Sequence, residues 1–170
     1  MRCVFGAVIA AFLLTAASAE DVWSTFRDPA GAYSVEMPGT PTVSTQSTKA
    51  GDGKDIPIVI YTVDRGSAAD IVMVADFTGY EVDPGKAIDN GVATISASGK
   101  TIQTNTIDQL DGQVGRNIGF VDPDGDHYTD RIFFVNSKLY QVMTVIAANN
   151  DPAQKESAGR FSASFHFTLK

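Results

Sequence analysis

Residues 101–147 read TIQTNTIDQL DGQVGRNIGF VDPDGDHYTD RIFFVNSKLY QVMTVIA, and this stretch decides the fold. Four strand-like runs, near 101–109, 112–122, 127–135 and 139–147, are punctuated by Asp111-Gly112, Pro123-Asp124-Gly125-Asp126 and Asn136-Ser137-Lys138. Those residue types accept left-handed backbone or close a type I turn, so each joint is a hairpin. Joints this short leave no chain for a crossover helix, and the four strands form an antiparallel meander.

Working outward, Asp83-Pro84 opens a helix over about 84–98. Asp83 accepts from free N–H groups, Pro84 fits the first helical position, and Gly99 suits the residue past the end. Ile88, Val92 and Ile95 share one face of it at i, i+4 and i+7. A second helix over about 151–163 starts at Asp151-Pro152, with Gln154 at capping-box spacing, and turns Ala158 and Phe161 inward. Phe165, Phe167 and Leu169 alternate as a closing strand.

Upstream, Trp23–Phe26 and Tyr33–Met37 make a first hairpin around Asp28-Pro29-Ala30-Gly31. Residues 43–48 are a polar edge strand, 56–64 alternate, and 71–77 are apolar on both faces as a central strand is. Many antiparallel strands with two separated helices predict an α+β fold of layered sheet rather than a βαβ fold.

The chain has 170 residues with 13 Lys plus Arg against 20 Asp plus Glu, a formal charge of -7. That length is one domain's worth, and that charge repels a phosphate backbone, so nucleic acid is excluded as a partner. Residues 1–19 have the three parts of a secretory leader: Arg2, an apolar run from Val4 to Leu14, and the A-x-A site Ala17-Ser18-Ala19 ahead of Glu20. Acidic Glu20-Asp21 follows too soon for a spanning helix, and no later segment could cross a bilayer. Cys3 precedes the apolar run instead of following it, so it does not read as a lipid anchor. It leaves with the leader, and residues 20–170 form a single cysteine-free domain, exported to the periplasm or beyond.

Motifs for chemistry fail one by one. Gly99-Lys100-Thr101 ends like a phosphate loop, but it closes a helix instead of opening one, and Thr94 stands where the first Gly belongs. Gly51-Asp52-Gly53 lacks the third Gly of a dinucleotide turn. Asp122, Asp124 and Asp126, with Asp130 beyond, are dense in oxygens, yet His127 and Phe133 hold the positions where a calcium loop needs Gly and Glu. A hairpin turn accounts for them, and no metal or cofactor is expected. The only bases for a Ser-His-Asp arrangement are His127, at a turn, and His166, on the wet face between Phe165 and Phe167.

Arg116 is the odd residue. It lies in the row of Val114, Ile118 and Phe120, where period-two geometry points it inward. Asp76, in a similar row with Val72 and Val74, is the expected partner, and a structural ion pair or an Arg that reaches water at the sheet's end is weighed against a ligand carboxylate. Arg131 and Tyr140 pose the same question, and these three are the candidate binding residues. No residue is a catalytic candidate.

The runs Tyr33–Pro41, Gly115-Arg116, Arg131–Gln141 and Phe161–Phe165 resemble secreted bacterial proteins of the Mog/PsbP-like superfamily. The resemblance implies an α/β/α sandwich around a largely antiparallel sheet. Its better-known members are accessory proteins that bind other proteins, in photosystem II and in nuclear transport. The expected function is therefore a non-enzymatic exported binding or accessory domain with a protein partner. A small-molecule or ion-binding module with its pocket between a helix and the sheet comes second, and a hydrolase third.

N-terminal sequencing of the exported protein is expected to begin at Glu20, and a mature chain that still carries Leu14 would overturn the leader assignment.

Overall fold

The computed structural model of the chain describes residues 22–49, 53–148 and 151–168. The expected leader and its expected cleavage site at Ala17, Ala19 and Glu20 lie outside the described residues, as do Gly51-Asp52 and Leu169. The elements run β1 (Ser24–Arg27), β2 (Tyr33–Met37), β3 (Thr42–Lys49), β4 (Asp55–Asp64), β5 (Ala68–Asp76), α1 (Pro84–Ala97), β6 (Thr101–Leu110), β7 (Gln113–Val121), β8 (His127–Val135), β9 (Lys138–Ile146), α2 (Pro152–Ser164) and β10 (His166–Phe167).

The meander forms as its turn residues require. Asp111-Gly112 and Asn136-Ser137 both take left-handed backbone, with φ of 49° and 79° in the first and 49° and 60° in the second, the geometry that lets a two-residue turn follow strand twist. β6 to β9 then extend through β5 and β4 to β3 in a seven-stranded antiparallel sheet of order β3-β4-β5-β9-β8-β7-β6. The first hairpin does not join it. β2 pairs instead with β10, and β1-β2-β10 make a separate three-stranded sheet.

Both helix starts match their sequence signals. The Asp83 carboxylate accepts from Lys86 N at 2.9 Å and that of Asp151 from Ala153 N at 2.9 Å, each with Pro at the first helical position. Gln154 does not complete a capping box; its carbonyl accepts from Arg65 across the fold.

The helices lie on opposite faces of the large sheet. On one face α2 and the small sheet bury Tyr33, Val35, Phe161 and Phe165 against Val72, Phe133, Tyr140 and Val142. Burial of each such aromatic contributes about 2–3 kcal/mol. On the other face α1 alone packs Ile88 and Ile95 against Ile118, Phe120 and Ile132. The backbone of α1 comes close at Gly91, where an added Cβ would stand 3.4 Å from Ile132.

Gly115 is a steric necessity of the α2 face. A Cβ there would fall on the Ile132 carbonyl oxygen and 2.5 Å from the Phe133 ring. Gly159, in mid-α2, has open space around it. Urea melts should therefore show Gly115→Ala less stable by about 1–3 kcal/mol through overpacking, and Gly159→Ala more stable by up to about 1 kcal/mol through helix propensity.

Candidate functional site

The structure places the three sequence candidates at three separate positions. Arg116 and Asp76 are not a pair. Asp76 stands on β5 and Arg116 on β7, with β9 and β8 between them, and they face opposite sides of the sheet. Period two tells which residues share a face of one strand, but not which strands are neighbours. Asp76 is bonded to its cross-strand neighbour Lys138. Burial works against its charge, but hydrogen bonds from Lys138 and Thr78 hold its pKa down at about 2. Arg116 lies on the α1 face at its margin, 37% exposed, and its nearest acid is Asp89 of α1 at 3.9 Å.

Arg131 points to the α2 face beside a cavity of about 520 Å³ that His127, Thr144 and Lys155 also line. Its guanidinium is committed: Nε and Nη2 donate to the two oxygens of Asp108 at 2.6 and 3.2 Å, and Nη1 to the Ser162 carbonyl at 2.9 Å. This fork ties β8 to β6 and to α2. Tyr140 is buried in the aromatic core, edge-on to Tyr33 and Phe167, and forms one wall of a cavity of about 210 Å³ with Tyr33, Tyr61 and Asp28. Burial pushes its phenol up to about 12, and the Tyr33 hydroxyl beside it has no hydrogen-bond partner.

The acidic turn uses its oxygens internally. Asp122 Oδ1 accepts from the N–H groups of Asp124 and Asp126, each at 3.0 Å, and Oδ2 from the Tyr128 hydroxyl at 2.9 Å. Asp126 Oδ1 accepts from Ala148 N at 3.0 Å. Among the described residues no group of three His, Asp or Glu side chains could hold a metal ion. His166 is exposed beside Asp111, with Nδ1 3.3 Å from Oδ2. The Ser164 hydroxyl, two residues away, donates to the Phe161 carbonyl and accepts from Glu36 N.

A large concavity among the described residues lies where α1 leaves the sheet uncovered. α1 packs over β8 and β7, and beside it a cleft of about 780 Å³ opens above β9, β5 and β4. Its floor is Ile58, Met73, Ala75, Leu139 and Met143. A hydrogen-bonded polar pair, Asp130 and Gln141, stands beside this apolar floor. Asp130 is 1% exposed, its Oδ2 accepts from Gln141 Nε2 at 2.6 Å, and its Oδ1 has no partner. Burial pushes its pKa up to about 7, against the hydrogen bond from Gln141 and the charge of Lys100. The Lys100 ammonium lies over the rings of Tyr128 and Phe120, 4.5 and 5.2 Å from their centroids. Sequence reasoning counted Asp130 among the oxygens of the acidic turn. The signal it passed over was the row Tyr128, Asp130, Ile132 and Phe134, in which a carboxyl interrupts an apolar face as Arg116 does in β7.

The fold, a seven-stranded antiparallel sheet with one helix on one face and a helix plus a small sheet on the other, is PsbP-like by comparison with a solved structure. The solution structure of PsbP from the cyanobacterium Synechocystis sp. PCC 6803 (CyanoP) is similar to this chain over 89% of its length and 95% of that chain, with a TM-score of 0.57 and 14% sequence identity. No family model matches the chain, and no curated protein matches it. No helix among the described residues is long and apolar enough to cross a membrane.

Asp130 predicts an unusual pH profile. Its native pKa lies above the roughly 3.9 of an unfolded aspartate, so between those values the folded chain holds more protons than the unfolded one. Its contribution is therefore fully present below pH ~4 and lost as pH rises through about 7. Urea melts at pH 5 and pH 8 should show a loss on the order of 2–3 kcal/mol that Asp130→Asn removes. Equal slopes in the two proteins would refute it.

Proposed function

We propose that this chain is an exported, non-enzymatic accessory domain that works by docking a protein partner. The leader pattern at 1–19 supports export, and the resemblance to the Mog/PsbP-like superfamily, together with the PsbP-like fold, supports an accessory role. The observation that carries the proposal is the outer β6–β7 hairpin. Ile107 and Val114 are 68% and 60% exposed there. Ile107 is directly opposite Arg116, and Val114 is two residues along the same face.

Two aliphatic side chains around an arginine, on the α1 face beside an open strand edge, have the make-up of an interface centre: apolar area to desolvate and a planar donor for an acidic or carbonyl group. Arg116 is available for it, since its contact with the exposed Asp89 is long and of little energetic worth. Arg131 and Tyr140, engaged by Asp108 and by the aromatic core, act through the scaffold that holds this hairpin in place.

A photo-crosslinking residue at position 114 should capture one protein in the native compartment. Ile107→Asp and Arg116→Glu should each reduce that capture at least tenfold while leaving the melting temperature within about 2 °C, because neither side chain is in the core. Capture that both variants leave unchanged would sink the proposal.

A further inference from the structure

We propose that the cleft between α1 and the sheet binds a small, mainly apolar primary amine, with its ammonium donating to Oδ1 of Asp130. The volume of about 780 Å³ lies within the range that encloses a small organic molecule. The floor is aliphatic and thioether side chains, with Met73 and Met143 as soft, adaptable surface, while Asn90 and Thr94 of α1 and Ser98 at its end add polar groups to the wall. Against that background Asp130 is the one buried carboxyl in the wall, and its unpartnered oxygen fixes the ligand's polar end as a donor.

A charged donor fits better than a neutral one. Gln141 gives the carboxyl one neutral hydrogen bond, and its neighbours on this face include the buried Ile118 and Ile132, the half-buried Met143, and Tyr128, whose hydroxyl donates to Asp122 instead. A hydroxyl and an ammonium would both make a charge-assisted hydrogen bond to the carboxylate, and the ammonium adds the attraction of opposite charges in a site shielded from water. Lys100 attracts the carboxylate only through space: its ammonium lies over the Tyr128 and Phe120 rings, and among the described residues it makes no hydrogen bond to Asp130. The other charged groups of the cleft, Lys49, Glu81, Asp83 and Lys86, belong to β3, to the loop before α1 and to the first turn of α1. The chain's charge of -7 further favours a cation over an anion. Asp130 Oδ1 is closed off from bulk water, so the ammonium reaches it by displacing Met143, its direct cross-strand neighbour and a flexible side chain.

The probes are 4-phenylbutylamine, 4-phenylbutanol and 4-phenylbutyrate, titrated calorimetrically into the purified chain at pH 7.5. The amine should bind saturably with a Kd at least tenfold below that of the alcohol, and the carboxylate should bind no better than the alcohol. Asp130→Asn should bring amine and alcohol to within about threefold of each other, and Met73→Trp, which fills the floor, should weaken all binding tenfold or more. Methionine-methyl NMR of the unmutated chain keeps the proposal testable if either variant misfolds. The amine should shift Met73 and Met143 and leave Met37, buried on the opposite face, in place. An alcohol bound as tightly as the amine, a preference that survives Asp130→Asn, no saturable binding up to 10 mM, or a shift confined to Met37 would each overturn it.

Discussion

A helix is about 10–12 Å wide, and seven strands at about 4.8 Å spacing present a face about 29 Å across. That mismatch governs this molecule. The chain covers one face of its sheet twice, with α2 and with the β1-β2-β10 sheet, and the other face only once, with α1. The double cover gives the denser core: Val35, Met37, Phe133, Phe161 and Phe165 are completely sealed there. The single cover leaves apolar sheet surface over β4, β5 and β9 on one side of α1, and the tip of the β6–β7 hairpin on the other.

The polar groups inside the sheet follow the same division. On the doubly covered face, Asp108 holds Arg131 in a two-pronged contact whose third donor caps the Ser162 carbonyl, and Arg65 donates to the fully buried Asp70 at 3.1 Å. Each charge there meets an opposite charge, as a water-free setting requires. On the singly covered face, Asp130 has a single hydrogen bond, from the amide of Gln141, with the charge of Lys100 acting at longer range, and burial raises its pKa to about 7.

Local chemistry made most of the fold legible. Asp83-Pro84, Asp151-Pro152, Asp111-Gly112 and Asn136-Ser137 each fix a backbone conformation within a few residues, so helix starts and hairpins could be read directly. Pairings between distant segments could not. Nothing within Tyr33–Met37 says that it will meet His166-Phe167 and leave the main sheet, because that choice depends on where α2 delivers the chain. The Asp76–Arg116 pairing failed for the same reason. Alternation assigns a residue to a face of its own strand, but the order of strands and the side each face turns to are set by the assembled sheet. Of the candidate residues, Arg131 is held by Asp108 and Tyr140 lies in the aromatic core, while Asp130 stands just beyond a run of aspartates that a turn explains.

The position of Asp130 carries the strongest physical argument for a second working surface. An apolar side chain of similar size between Ile118 and Met143 would avoid both the desolvation of a carboxyl and the stranding of an oxygen, and replacements of that kind are often neutral or stabilising. Among the carboxyls, Asp108, Asp70, Asp76 and Asp122 have partners of matching chemistry, although the buried Tyr33 hydroxyl, like Asp130 Oδ1, has none. An energetic cost of this kind is tolerated where structure and use conflict. Here the half-satisfied carboxyl and the gap in the sheet's cover occur at the same place, on the same face, within reach of one bound molecule, and a binding site accounts for both where packing accounts for neither.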